Sequence, residues 1–528
     1  MNPPLAEPAW KSWSLIALGL IVAAGLFHAI GSVALDRYLV AQAGSEWRWM
    51  AAGQSLIRFD FDSKHDLVGE KIDGAPTLAV EGGILRARLS EGRGNAGLNL
   101  RGRFLDASRF DFFRARIQSS AAGELVLIFD EPGQLVENLV SVPLDAGWND
   151  LALPLAELPW RRKREIDAQL AITDEPWGGE SLAIGEFRLY FALPPGSEIA
   201  LDEVRFSERE LATGALRSHQ PLKRIEWIDA AEAQRRLGLL QPLRAEAEHR
   251  IGILLPSWSW TADRALALRD AARARDAEAL FWPAAKALPS SLDELPAQGL
   301  RPWHPPLWLA AGHALILLLG FWWLRRRHDR LSAGLELLLL WAPPVLLLAG
   351  LTVSESPSPA LWSLLLLPLL YGLGRCDWRT LWRHSWSRVA WDRMFLLSLP
   401  LLAGLVIVGL SLGGPNEPGS QRWWSYPIFV LLQQVVLLGV LLPLCQRLAP
   451  RFGIFLAAAI FALLHAPNSS LMLLAGLGAL LWCQLHRQGV GLLPIVVSHV
   501  LLGMAAVSLL PPWLLYSANL SLMWLMPA

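Results

Sequence analysis

The hydrophobic pattern divides the chain into two regimes. Residues 13–35 form an apolar run about as long as the roughly 20 residues that a bilayer requires. From there to about Pro302 no stretch is long and apolar enough to span, and beyond it apolar runs recur through most of the remaining chain. No small-residue cleavage site follows the first run, which therefore predicts a retained anchor, with a cleaved signal as the alternative. The later runs predict spans near 306–324, 333–352, 360–374, 394–413, 425–446, 452–466, 470–485 and 491–510, about nine with the first. Pro511-Pro512 ends the last of them and leaves a re-entrant or interfacial tail at 513–528.

Between the anchor and residue 302 the periodicity changes from helical to alternating. Leu85, Ala87 and Leu89 alternate with Arg86 and Arg88, Leu125, Leu127 and Phe129 share one face, and 185–191 and 199–206 are short runs rich in apolar and aromatic residues. Turn residues at Gly82-Gly83, Asp145-Ala146-Gly147 and Pro194-Pro195-Gly196 separate these runs at sandwich spacing. The pattern of 54–207 resembles the jelly-roll modules that often bind carbohydrate; a scaffold or protein-contact role is the alternative. Residues 230–240 and 262–279 then return to helical spacing around Ile251-Gly252-Ile253-Leu254-Leu255, a candidate buried strand, so 208–302 predicts a small α/β segment.

Composition supports this division. With 53% hydrophobic and 18% charged residues across 528 positions, the chain is too apolar for an ordinary soluble enzyme and too long for one domain. Its 47 basic and 47 acidic residues cancel, but the acidic ones lie mostly before residue 300 and few follow Glu336. Cys376, Cys445 and Cys483 all fall in the membrane half, so no disulfide holds the soluble part, which must stand on its own apolar core. Many of the 26 Trp residues sit near span ends, as at Trp322-Trp323 and Trp423-Trp424, in the manner of an interfacial belt.

Charge segregation orients the bundle. The run from Arg325 to Arg330, the Arg-rich loop 375–393, Arg447, Arg451 and Arg487 share one side, which the positive-inside rule makes cytoplasmic. The expected order is a cytoplasmic 1–12, an anchor at 13–35, an external sandwich at 36–207, the α/β segment at 208–302, spans at 303–412, a chemistry-bearing region at 413–512 and the tail. The fold class is thus a polytopic α-helical membrane bundle with an external all-β, jelly-roll-like sandwich. The expected location is a multi-pass position in the cell membrane, a bacterial inner membrane, with the large domain periplasmic.

Two spans carry histidine where hydrocarbon does not readily admit it. His465 closes Phe461-Ala462-Leu463-Leu464-His465, and Ser498-His499 lies inside the last long run. Ionisable residues at membrane depth mark functional sites by default. A third span carries Gln433-Gln434. In order, spacing and placement, 425–510 is similar to the CPBP family of CAAX prenyl endopeptidases and bacteriocin-processing membrane proteins. In that family a first helix carries Glu-Glu with Arg four residues after the second Glu, a second ends Phe-x-x-x-His, and a third carries His-x-x-x-Asn. Here Gln433 and Gln434 replace both acids, Leu438 the Arg and Gly503 the Asn, while Phe461, His465 and His499 are kept. Gly439, Leu442-Pro443 and Leu493-Pro494 match the flanking texture.

The resemblance implies an intramembrane peptidase in which the first glutamate activates water and the His and Asn residues position it and stabilise the oxyanion. An amide does not titrate, so Gln433 and Gln434 can orient water but cannot take its proton. Losing a general base costs about 10²- to 10⁴-fold in rate, and losing one oxyanion donor roughly 3–4 kcal/mol. His465, neutral through burial, is the available substitute base, with His499 as electrophilic partner. Glu336, Glu355, Asp377, Asp392 and Glu417 fall at span ends or in loops and supply no acid.

Three functions stay open: a peptidase acting on a peptide or membrane-protein substrate, a noncatalytic receptor or assembly factor built on the same fold, and a glycan-binding sandwich tethered to the bundle. Blander roles are an interhelical contact for the two glutamines and an interfacial position for His465. No cofactor and no nucleic-acid partner are expected; zinc would need Cys483 or Cys445 beside the two histidines. By residue count Gln433 and His465 lie toward the external ends of their spans, so the site would open outward, where the sandwich would recruit a ligand near the 414–424 loop.

Overall fold

A computed structural model describes residues 9–525 apart from 62–71, 74–76, 82, 92–94, 101–104, 107–109, 131–135, 167–168, 174–182, 185–186, 210–224, 242, 244–249, 277, 297–304, 325–328, 352–357 and 413–421. The 414–420 part of the expected mouth, Arg325, Gly82, Glu355 and Glu417 therefore lie outside the described residues. The chain forms two compact units, one of 39–255 with 269–299 and one of 1–38, 256–268 and 300–528.

The first unit is a β-sandwich joined to a small parallel sheet. One antiparallel sheet runs Gly147–Pro154, Phe112–Ser119, Glu198–Ser207, Ile84–Arg88 and Thr77–Glu81, and Gln54–Phe59 also pairs with Glu198–Ser207. The other runs Gln169–Thr173, Arg161–Ile166, Val136–Leu144, Gly123–Asp130, Phe187–Ala192, Asn95–Leu100 and Ile72–Asp73. Alternation places Leu85, Ala87, Leu125, Leu127 and Phe129 in the core and turns Arg86 and Arg88 outward, as the period-two pattern predicts. Phe206 anchors the core, its ring edge-on to Phe187 and Phe113 at centroid distances of 5.1 and 5.5 Å. Such aromatic pairs add about 0.5–1.5 kcal/mol each beyond area burial.

The α/β segment is a three-stranded parallel sheet of Ile225–Asp229, Arg250–Leu255 and Leu280–Pro283, with the expected strand at its centre. Asp229 caps the Ala230–Gly238 helix by accepting from Glu232 N at 2.7 Å. Arg250 and Glu278 form a buried ion pair at 3.1 Å, and Ser55 Oγ and Leu56 N also donate to Glu278. Burial pushes the Glu278 carboxyl above its ordinary range, against the pull of Arg250 and Ser55.

The second unit is helical. Among the described residues seven helices are long and apolar enough to cross a membrane by length and composition, the first within Ala9–Ala51 and the others at Leu307–Leu324, Arg330–Ala349, Arg388–Leu412, Ser425–Leu448, Ser469–Arg487 and Leu492–Leu509. Two further spans expected from sequence, 360–374 and 452–466, are the shorter apolar helices Pro359–Arg375 and Gly453–Leu463. At 1.5 Å per residue the second of these is about 16 Å long, roughly half the hydrocarbon thickness.

Two features depart from the sequence expectation. The first helix continues past Leu35 to Ala51, because no proline intervenes and Gly44 alone does not stop it, so the sandwich unit begins with helix rather than strand. Residues 256–268, expected within the α/β segment, pack with the helical unit. There Ser32 Oγ donates to Ser257 O at 2.5 Å, Ser257 Oγ and Trp258 Nε1 donate to Asp36, and Asp263 accepts from Ser470 Oγ at 2.7 Å, Tyr516 N at 3.0 Å and Trp524 Nε1 at 3.3 Å. Burial raises the Asp263 carboxyl, and those three donors pull the other way. The tail, read as re-entrant or interfacial, packs on the helical unit, with Trp524 fully buried and Ser521 N bonded to Ala466 O at 2.9 Å.

Glu336 lies six residues into its helix and meets arginines at the C-terminal ends of two others. It is buried in the Arg330–Ala349 helix, where Arg375 Nε at 3.0 Å, Arg447 Nη2 at 3.4 Å and Tyr371 Oη at 3.2 Å converge on its carboxylate. Arg375 and Arg447, expected on one side of the bundle, thus meet at a single group.

Candidate functional site

Gln434 lies three residues before a π-helical turn at Leu437–Leu441 that joins the Arg422–Val436 and Leu442–Leu448 helices. Single π-turns inside α-helices occur often at functional sites. Gln434 is 0% exposed, and its Nε2 lies 2.8 Å from His499 Nδ1. Its Oε1 is buried with no hydrogen-bond partner. A buried acceptor left unpaired costs about 1–3 kcal/mol, so this oxygen is a place where a ligand or water N–H or O–H would be stabilised.

The His499 ring is held on both sides. Trp482 stacks on it at a centroid distance of 3.9 Å, and Tyr426 approaches edge-on at 6.3 Å. Trp482 is in turn fixed by donating Nε1–H to Ser498 Oγ at 3.2 Å, and Ser498 is paired with Ser398 at 2.7 Å. The amide at Nδ1 donates, so His499 Nδ1 accepts and its Nε2 carries the proton.

His465 has the opposite arrangement. Its Nδ1 lies 2.9 Å from the Phe461 carbonyl oxygen, which can only accept, so Nδ1 holds the proton and Nε2 is a free acceptor. Its ring also packs on Phe461 at 5.1 Å. Asn468 fixes the following turn by accepting from Leu471 N at 3.0 Å and donating to Ser517 O at 2.7 Å and Asn519 O at 3.0 Å. The two imidazoles lie within electrostatic reach of each other.

The sequence-derived residues are thus brought together unevenly. Gln434 and His499 touch, whereas among the described residues His465 makes its hydrogen bond and ring contact with Phe461 and none with either of them. Gln433 is half-buried and has no hydrogen-bond partner among the described residues. Gly503, one turn beyond His499, supplies no side-chain donor, and the Tyr426 hydroxyl lies against it, where any β-carbon would collide. Tyr426 carries no signal in the sequence, because its contact bridges 77 positions (503 − 426) and depends on a residue with no side chain. Among the described residues no three His, Cys, Asp or Glu side chains converge as a metal site, and Cys445 and Cys483 are buried free thiols.

No family model and no curated protein matches the chain. Among solved structures it is similar to a family 11 carbohydrate-binding module from Clostridium thermocellum in complex with a β-1,3-1,4-mixed-linked tetrasaccharide, at 15% identity over 26% of this chain and 84% of that one, with a TM-score of 0.20. The family 11 module of the cellulosomal cellulase Lic26A-Cel5E of the same organism aligns at 15% identity over 26% and 83%, TM-score 0.21. An agarase, AgWH50C, aligns at 13% over 28% and 24%, TM-score 0.20. Helices and sheets together define a multi-pass membrane protein that carries a β-sandwich unit.

Proposed function

We propose that the chain is a CPBP-type intramembrane endopeptidase-like protein that holds a peptide or membrane-protein segment at the Gln434–His499 pair. The observation that carries this reading is the buried Gln434–His499 hydrogen bond with an unpaired Gln434 carbonyl, which leaves His499 Nε2 to donate, while the Phe461 carbonyl at His465 Nδ1 leaves His465 Nε2 to accept. Gln434 Oε1 would accept a backbone N–H of the bound segment. Water activation would fall to His465, and His499 Nε2–H with the Tyr426 hydroxyl would supply donors to the oxyanion. The bundle would lie in a bacterial inner membrane with its Arg-rich ends cytoplasmic. The sandwich, read as a jelly-roll module, would present a glycan- or protein-binding face outside the cell.

A second reading, a noncatalytic receptor or assembly factor, is favoured by one observation: neither Gln433 nor Gln434 titrates, so the same cavity can grip without cutting. Restoring Gln433→Glu with Gln434→Glu separates the two. A carboxylate base is expected to raise processing of membrane-anchored peptides by about 10²- to 10⁴-fold, seen as new N-termini in the membrane proteome. If no new N-termini appear, the binding-only reading prevails.

A further inference from the structure

The outward face of the sandwich sheet holds a trough in which Arg86 has no carboxylate partner among the described residues. Strand register aligns Ala79, Arg86, Ala200, Gln118 and Trp148 in one row across five strands. At about 4.8 Å per strand the row is roughly 19 Å long. Ala79 and Ala200 are too small to fill their places, so they floor a cleft of about 540 Å³ walled by Arg86, Arg88, Gln118, Ser120 and Glu198. At the far end Trp148 stands 41% exposed, with the Arg116 guanidinium over its ring at 4.8 Å. That Arg116 is committed, bonded to Asp202 at 3.0 Å and close to Asp150 at 3.4 Å. Arg86 has no carboxylate partner among the described residues, and Arg88 meets only the exposed Glu91 at 3.6 Å.

We infer that this trough binds an anionic oligosaccharide, one whose sugar units carry carboxylates, with Arg86 and Arg88 forking onto a carboxylate and Trp148 stacking on a pyranose face. This rests on the reading of the sandwich as a glycan-binding module and assigns its site and ligand class. Charge complementarity rests on Arg86, which has no carboxylate partner among the described residues, whereas Arg88 is shared with Glu91 at 3.6 Å and lies opposite Glu198 in register. Side-chain geometry selects a sugar over a peptide. The row crosses the strands on a sheet face, where no free backbone edge is offered for strand addition, whereas planar amide, carboxylate and guanidinium groups beside an exposed ring suit alternating hydroxyls and an apolar sugar face.

The test is binding by the full-length protein in detergent to an oligogalacturonate, to a neutral galacto-oligosaccharide of the same length and to a polyglutamate peptide. The uronate is expected to bind at least about tenfold more tightly than either other probe, and Arg86→Ala, Arg88→Ala and Trp148→Ala are each expected to weaken it by about tenfold. Arg86→Lys keeps the charge without the fork and is expected to lose part of the affinity, which guards against a folding artefact. Equal binding of the neutral sugar would overturn the anionic class while leaving a glycan-binding sandwich in place. Binding of no saccharide would overturn both, and equal binding of polyglutamate would reduce the trough to a polyanion surface and overturn the assignment.

Discussion

His465→Ala is expected to lower processing of a membrane-anchored peptide by about 10²- to 10⁴-fold, the usual contribution of a general base. No carboxylate at 433 or 434 stands in reserve, so no second group can take the proton that His465 Nε2 would accept. His465→Gln sharpens the test. Its amide can still donate to the Phe461 carbonyl and hold the turn before Pro467, yet it cannot act as a base, so it is expected to lose as much activity as the alanine variant. The measurement is accumulation of uncleaved precursor relative to wild type. If precursor levels do not change in either variant, the cavity binds without cutting.

Glu336→Ala is expected to destabilise the helical unit by about 3–5 kcal/mol, because it leaves Arg375 and Arg447 partly buried without their shared counter-charge. The loss exceeds that of an exposed pair, which is worth about 0–1 kcal/mol. Glu336→Gln keeps an acceptor for Tyr371 and Arg375 and is expected to lose less. Thermal unfolding of the purified protein in detergent reads both. An unchanged midpoint for Glu336→Ala would mean that the cluster carries no structural load.

Much of the architecture was legible because it is periodic. The alternation at Leu85–Leu89 and Leu125–Phe129 announces strands buried on one face, and Ile251 to Leu255 announces a strand buried on both; each is where the pattern put it. The long apolar runs announce helices in the same way, with boundaries shifted toward Arg330 and Arg388 where long basic side chains are tolerated at helix starts. What was not legible depends on contacts between distant positions. Asp263 looks like one charge on a polar helix until Ser470, Tyr516 and Trp524 surround it. Glu336 looks like a span-end acid until two arginines from other helices reach it.

The site shows the same division. Polar residues inside apolar runs single out Gln433, Gln434, His465 and His499. Their roles diverge only in three dimensions, where Gln434 bonds to His499 and Gln433, half-buried, has no hydrogen-bond partner among the described residues. Glycine at 503 reads as the loss of a donor, whereas the space it leaves is occupied by the Tyr426 hydroxyl.

Convergence of Gln434, His465 and His499 on one point is the geometry that the proposed chemistry requires, and an engineered metal site tests it directly. Gln434→His would place a third imidazole beside the other two, and three protein ligands suffice for a zinc site that keeps one open position. One zinc per chain is expected in the purified Gln434→His variant, lost again when His465→Ala or His499→Ala is added. Zinc content equal to wild type, or zinc retained after His465→Ala, would contradict a shared cavity.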